Sequence, residues 1–85
     1  MDPYKIIKHP LSTEKSIRLM ESQNKLIFVV DMKADKKMIK NAIEAMFKTK
    51  VVDVNAYVQG GEKRAYVKFP DEKPAIDIAT QLGLM

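Results

Sequence analysis

The residue types that could carry catalysis or metal binding are dispersed in this chain. His9 is the only histidine, and with Pro10 after it there is no second ligand or acid/base partner of the kind a zinc site or a nucleophilic triad needs. Glu14, Glu21, Asp31 and Glu44 fall on separate segments, with no spacing that would pair two carboxylates for general acid/base work. Gly60-Gly61 lacks the further glycines and the lysine of a phosphate-binding loop, and it joins two strands rather than a strand and a helix. No cysteine is present, which removes thiolate zinc ligands, thiol nucleophiles and disulfides. The expectation is a non-enzyme with no metal, no cofactor and no small-molecule substrate. What the sequence does concentrate is a set of cations, an amide and aromatic rings: Asn55, Tyr57, Arg64, Tyr66 and Lys68. Arg and Lys can sit on phosphates while Tyr stacks on an unpaired base, worth roughly 1 to 3 kcal/mol per base. The same residue types also suit a solvated strand face held by Tyr-Arg and Asp-Lys cross-strand pairs.

These side chains share a face only if the strands carrying them pair in one register. Residues 51–59 alternate, with Val52, Val54, Ala56 and Val58 on one side and Asp53, Asn55, Tyr57 and Gln59 on the other. Gly60-Gly61 can take the positive φ angles of a two-residue hairpin turn. Folding there sets Val54 against Val67, Ala56 against Ala65 and Val52 against Phe69. On the other face Tyr57 meets Arg64, Asn55 meets Tyr66 and Asp53 meets Lys68. A slip of one residue would ruin both faces together.

The remaining elements supply the core. Residues 4–8, between Pro3 and Pro10, read as a short edge strand. Ser12 or Thr13 can cap a helix running to about Ser22, with Ile17 and Met20 inward and Asn24 as its end. Leu26-Ile27-Phe28-Val29-Val30 is too short for a buried helix and suits a central strand covered on both faces. Asp35 caps a helix from Lys36 to about Thr49, whose stripe is Ile39, Ala42, Ile43, Met46 and Phe47. Pro74 opens a last helix carrying Ala75, Ile76, Ile78, Ala79 and Leu82, with Gly83 as its stop. The order β-α-β-α-β-β-α predicts a small α+β domain, an antiparallel sheet with packed helices.

With 85 residues, 46% of them hydrophobic, the chain has room for one domain, 1–85, and a lean core. The net charge of +4 suits a polyanionic partner. It is unevenly spread: residues 1–69 hold fourteen basic and eight acidic groups, net +6, whereas residues 70–85 are net −2. Lys36 and Lys37 fall in the first turn of their helix, where a cation opposes the macrodipole by a few tenths of a kcal/mol. With Lys33, Lys40, Lys48 and Lys50 they make a basic perimeter able to neutralise several phosphates. No apolar run approaches the roughly 20 residues of a membrane span, and Met1-Asp2-Pro3-Tyr4 does not resemble a secretory leader. The expectation is a cytoplasmic protein without membrane insertion.

Several strings in order are more specific than any of these patterns. His9-Pro10-Leu11-Ser12-Thr13-Glu14-Lys15-Ser16 resembles the opening signature of the universal large-subunit ribosomal protein family L-twenty-three. Asn24-Lys25-Leu26-Ile27-Phe28-Val29-Val30 is similar to that family's second strand, and Ala34 to Phe47, read as A-x-K-x-x-I-x-x-A-I-E-x-x-F, to its central helix. Val51-Val52-Asp53-Val54-Asn55 and Lys63-Arg64-Ala65-Tyr66-Val67 resemble the strands flanking its hairpin loop. The resemblance covers essentially the whole chain.

The resemblance implies a ferredoxin-like ribosomal protein fold and a primary rRNA-binding constituent of the large subunit beside the polypeptide exit tunnel. The implied partners are large-subunit rRNA, neighbouring ribosomal proteins and factors that meet the nascent chain. Many bacterial members carry a long basic extension between the hairpin strands, which Gly60-Gly61 leaves almost no room for. That short turn resembles archaeal and eukaryotic-type members, so the signal recognition particle rather than trigger factor is the implied targeting partner. Asn55, Lys63, Arg64 and Tyr66 match strand positions expected at the RNA, and Thr13, Lys15, Lys36, Lys37 and Lys40 lie in matching segments. With Tyr57 and Lys68 from the hairpin face these form the candidate rRNA-binding set. Ser12 and Glu14 match the surface offered to exit-site factors, where an acid could pair with a basic patch on the visitor; Glu14 could equally be a helix-dipole partner. The rival readings are an adaptor of similar fold whose charged face meets an acidic protein and, behind it, a small enzyme using Arg18 or His9.

Overall fold

The computed structural model describes residues 3–83. Its elements are α1 (Pro3–Ile6), β1 (Ile7–Pro10), α2 (Glu14–Gln23), β2 (Lys25–Val30), α3 (Lys36–Phe47), β3 (Asp53–Gln59), β4 (Glu62–Lys68) and α4 (Ala75–Gln81). The four strands form one antiparallel sheet in the order β1-β2-β4-β3, the α+β architecture expected.

The hairpin folds in the register the alternation demands: Val54 faces Val67, Ala56 faces Ala65, Asp53 faces Lys68, Asn55 faces Tyr66 and Tyr57 faces Arg64. Gly60 and Gly61 turn the chain at φ +58° and +78°, the pair of positive angles that a two-residue turn matched to strand twist requires. β2 pairs with β4 through six residues, and all of Leu26, Ile27, Phe28, Val29 and Val30 are buried, as expected of a central strand, although helices cover only the face of Leu26, Phe28 and Val30.

The main core lies on one face of the sheet, where Phe28, Val30, Val67 and Phe69 meet Ile39 and Ile43 of α3. Asp35 caps α3 by accepting the Met38 N–H at 2.8 Å. The helix stops at Phe47 rather than near Thr49, because Lys48 takes a left-handed conformation, φ +50°. For a residue with a Cβ that conformation costs about 1 to 2 kcal/mol. Thr13, not Ser12, caps α2: its hydroxyl accepts the Ser16 N–H while the Ser16 hydroxyl accepts the Thr13 N–H. Asn24, also left-handed at φ +56°, ends α2. Its side-chain amide donates to the carbonyls of Phe69 and Pro70, and its side-chain oxygen accepts the Ala75 N–H. One residue thereby joins α2, the end of β4 and the start of α4.

The structure corrects four details. The first strand runs Ile7–Pro10, not residues 4–8, because Pro3 opens a helical turn, a position its fixed φ favours. It is an edge strand as expected. Ile17 is exposed and Ser16 is buried beside Met20 instead, since α2 packs mainly against β2 and α4 and so buries a narrow stripe. Val52 and Val58 are 57% and 60% exposed: Val58 lies at the hairpin end of β3, and Val52 lies before the ladder rather than opposite Phe69, its neighbour Val51 being buried in the core instead. Ile76 is exposed, while Ala75, Ile78 and Ala79 carry the packing of α4.

Candidate nucleic-acid interface

The parity that sends Leu26, Phe28, Val54, Ala65 and Val67 into the core sends their neighbours to the other face of the sheet. That face is laid out in three cross-strand rows. His9, Val29, Arg64 and Tyr57 form one, Ile27, Tyr66 and Asn55 the next, and Lys25, Lys68 and Asp53 the third. Ile27 and Val29 are buried, whereas Tyr57 and Lys68 are exposed and Arg64, Tyr66 and Asn55 half-buried. The face therefore has an apolar floor under a cationic and aromatic surface.

The rings of Tyr57 and Tyr66 lie diagonally across the hairpin, edge to face, with centroids 5.6 Å apart and planes at 83°. Lys15, reaching over from α2, donates to the Tyr66 hydroxyl at 3.3 Å and stands 5.3 Å from its ring centroid. Together with Leu19, Lys25, Asn55 and Gln59 these residues line an open depression of about 390 Å³. Arg64 is held by Glu62 (3.0 Å) and by Gln59 (3.4 Å), so its guanidinium is oriented and only partly neutralised. Asn55 donates to Asp53 at 3.1 Å.

Lys25 and Lys68 stand directly opposite each other. Like charges across neighbouring strands destabilise a sheet, and Asp53 balances only one of the pair. A polyanion laid on this row removes the repulsion.

The expected set divides. Lys15, Asn55, Tyr57, Arg64, Tyr66 and Lys68 come together on the open face. Lys63 does not: it pairs with Val58 and Val30, on the helix side, and its ammonium donates to the Ala34 carbonyl. Lys36, Lys37 and Lys40 are exposed on α3, which packs on the opposite side of the sheet. The Thr13 hydroxyl oxygen is engaged in the α2 cap. Ser12 and Glu14 are exposed at the start of α2, where Glu14 accepts from Arg18 at 2.6 Å. Two open-face residues, Lys25 and His9, escape a reading of the hairpin alone. They reach the face through β2-β4 and β1-β2 pairing, contacts between segments far apart in the chain.

Among the described residues no three potential metal ligands gather, and no helix is long and apolar enough to cross a membrane. His9 Nδ1 bonds the adjacent Pro10 carbonyl at 3.1 Å.

Residues 5–79 match the family model described as Ribosomal protein L23. The chain is also similar to the large ribosomal subunit protein uL23 of Methanococcus aeolicus, with 41% identity over 85 residues and 99% of each chain covered.

Proposed function

Given that the chain belongs to the ribosomal protein L23 family, we propose that it binds large-subunit rRNA through the open face of its sheet. As a family member it is a structural constituent of the large ribosomal subunit and not an enzyme, working in the cytoplasm as part of the ribosome among rRNA and other ribosomal proteins. The observation that carries the proposal is the uncovered surface on which Lys15, Lys25, Arg64 and Lys68 surround the paired rings of Tyr57 and Tyr66. Phosphate contacts from the cations position the protein, and an unpaired base stacked on a tyrosine supplies selectivity. Arg64→Glu combined with Lys68→Glu should abolish binding to large-subunit rRNA in a filter-binding assay. Wild-type affinity of a folded double variant would reject this face.

The proposal extends to a place beside the polypeptide exit tunnel and to docking of the signal recognition particle at Ser12 and Glu14. What supports it is a division of labour within α2. Consecutive helical residues point about 100° apart, so Lys15 can meet Tyr66 while Glu14, next to it, faces solvent with Arg18. An acid that faces away from a cationic RNA surface is available to a basic visitor and would steer its encounter.

A further inference from the structure

The α3 side of the molecule carries a second cationic feature that the open sheet face does not absorb. Lys40 and Glu44 are spaced four residues apart and so share a row on α3, and Lys48, the C-cap just beyond the helix, lines the same groove as they do. The groove, of about 960 Å³, is closed on its other sides by Lys50 and Val52 ahead of β3 and by Lys73 in the turn after β4. Four ammoniums thus face two carboxylates, Glu44 and Glu72. Glu44 is already engaged, accepting the Val51 N–H at 3.0 Å. Among the described residues the only salt bridges are Glu14–Arg18 and Glu62–Arg64, so none of the four lysines is paired. The C-terminal dipole of α3 adds about half a negative charge here, too little to offset the excess.

Lys48 supplies an independent pointer. It is exposed and held left-handed at the C-cap, where Gly is the unstrained residue, and an outlier of this kind argues for a use of the side chain. Val52 offers an exposed apolar surface in the same groove, suited to a ribose or a base face.

We infer that this groove binds an RNA backbone segment distinct from the one on the open sheet face, so that the protein bridges two stretches of rRNA across its sheet. The inference rests on the reading of the chain as an rRNA binder and adds a second contact to it. An RNA strand fits better than an acidic peptide, because the lysines are spread over α3, its C-cap and two flanking loops rather than focused on one point, and counterion release rewards such spreading.

Hydroxyl-radical footprinting of the full chain on transcribed large-subunit rRNA tests this. Lys48→Glu with Lys50→Glu should erase one protected segment and keep another, which Arg64→Glu with Lys68→Glu should erase in turn. Lys48→Gly should raise the melting temperature while making the salt dependence of binding shallower by about 0.7 to 0.9 in log–log slope. A wild-type footprint from the folded Lys48/Lys50 variant would overturn the inference, as would loss of the same nucleotides from both double variants. So would an unchanged footprint coupled to lost binding of polyglutamate, which would make the groove a protein site. If the Arg64/Lys68 variant keeps the full footprint while the Lys48/Lys50 variant loses a segment, the groove stands and the open face falls.

Discussion

Lys15 and Tyr66, 51 positions apart, meet where α2 passes the open side of the sheet, the ammonium donating to the phenol at 3.3 Å and standing 5.3 Å from the ring centroid. The contact is exposed, so it contributes only about 0.5 to 1 kcal/mol to the fold. Its larger effect is to fix a cation beside a ring available for stacking. Lys15→Met keeps the apolar stem and should leave thermal unfolding within about 1 kcal/mol of wild type, while reducing the salt slope of rRNA binding by about 0.7 to 0.9. Titrations at several salt concentrations check this, and an unaltered slope would show that the ammonium serves the fold alone.

Tyr57 is 53% exposed with its ring nearly perpendicular to that of Tyr66. Truncating it removes little buried surface. Tyr57→Ala should weaken binding to a large-subunit rRNA fragment by about 5- to 150-fold, the equivalent of the roughly 1 to 3 kcal/mol of one stacked base. Tyr57→Phe should bind nearly as wild type. Equal losses from both substitutions would point to the hydroxyl and exclude stacking.

The hairpin was legible because its register follows from two neighbouring segments and a Gly-Gly turn, and with it the open-face set Asn55, Tyr57, Arg64, Tyr66 and Lys68. Lys63 could have been separated from that set by the same alternation, which puts it on the side of Val58; the family motif spoke for its segment, not its face. Lys25 and His9 were not legible as members, since nothing local says that β2 lies between β1 and β4. The exposure of Ile17, Val52, Val58 and Ile76 has the same origin. An apolar pattern states that an element has an inward side, whereas which of two adjacent positions takes it, Ser16 over Ile17 or Val51 over Val52, depends on how the neighbouring elements are placed.

Asn24 carries more of the fold than its place as a helix stop suggests. Its side chain accepts the Ala75 N–H at 2.6 Å and donates to the Phe69 and Pro70 carbonyls at 2.9 and 3.1 Å, and its backbone is left-handed. Asn24→Ala loses these bonds, at about 1 kcal/mol each, and adds about 1 kcal/mol of backbone strain. The expected destabilisation is about 3 to 4 kcal/mol in urea unfolding. Asn24→Gly removes the strain and keeps the loss of bonds, so it should be less damaging. A gap of zero between the two variants would show that the left-handed backbone costs nothing here.

Glu14 tests whether α2 keeps its two sides functionally apart. Its pair with Arg18 is short, 2.6 Å, but both side chains are about three-quarters exposed, and an exposed i,i+4 pair is worth only about 0.2 to 0.5 kcal/mol. Glu14→Lys also places a cation at the positive end of the α2 dipole, which adds about 0.3 to 1 kcal/mol. The total is a small fraction of a domain's stability, so the variant should fold and enter large subunits in normal amounts. The open face is untouched, because Lys15 and not Glu14 reaches Tyr66. Recruitment of the signal recognition particle to purified subunits should fall, chiefly through a slower association rate, and the deficit should shrink as salt screens the charge. Co-sedimentation and stopped-flow association at low and high salt read both quantities. Recruitment equal to wild type at low salt would remove Glu14 from the docking surface while leaving the RNA face as it stands.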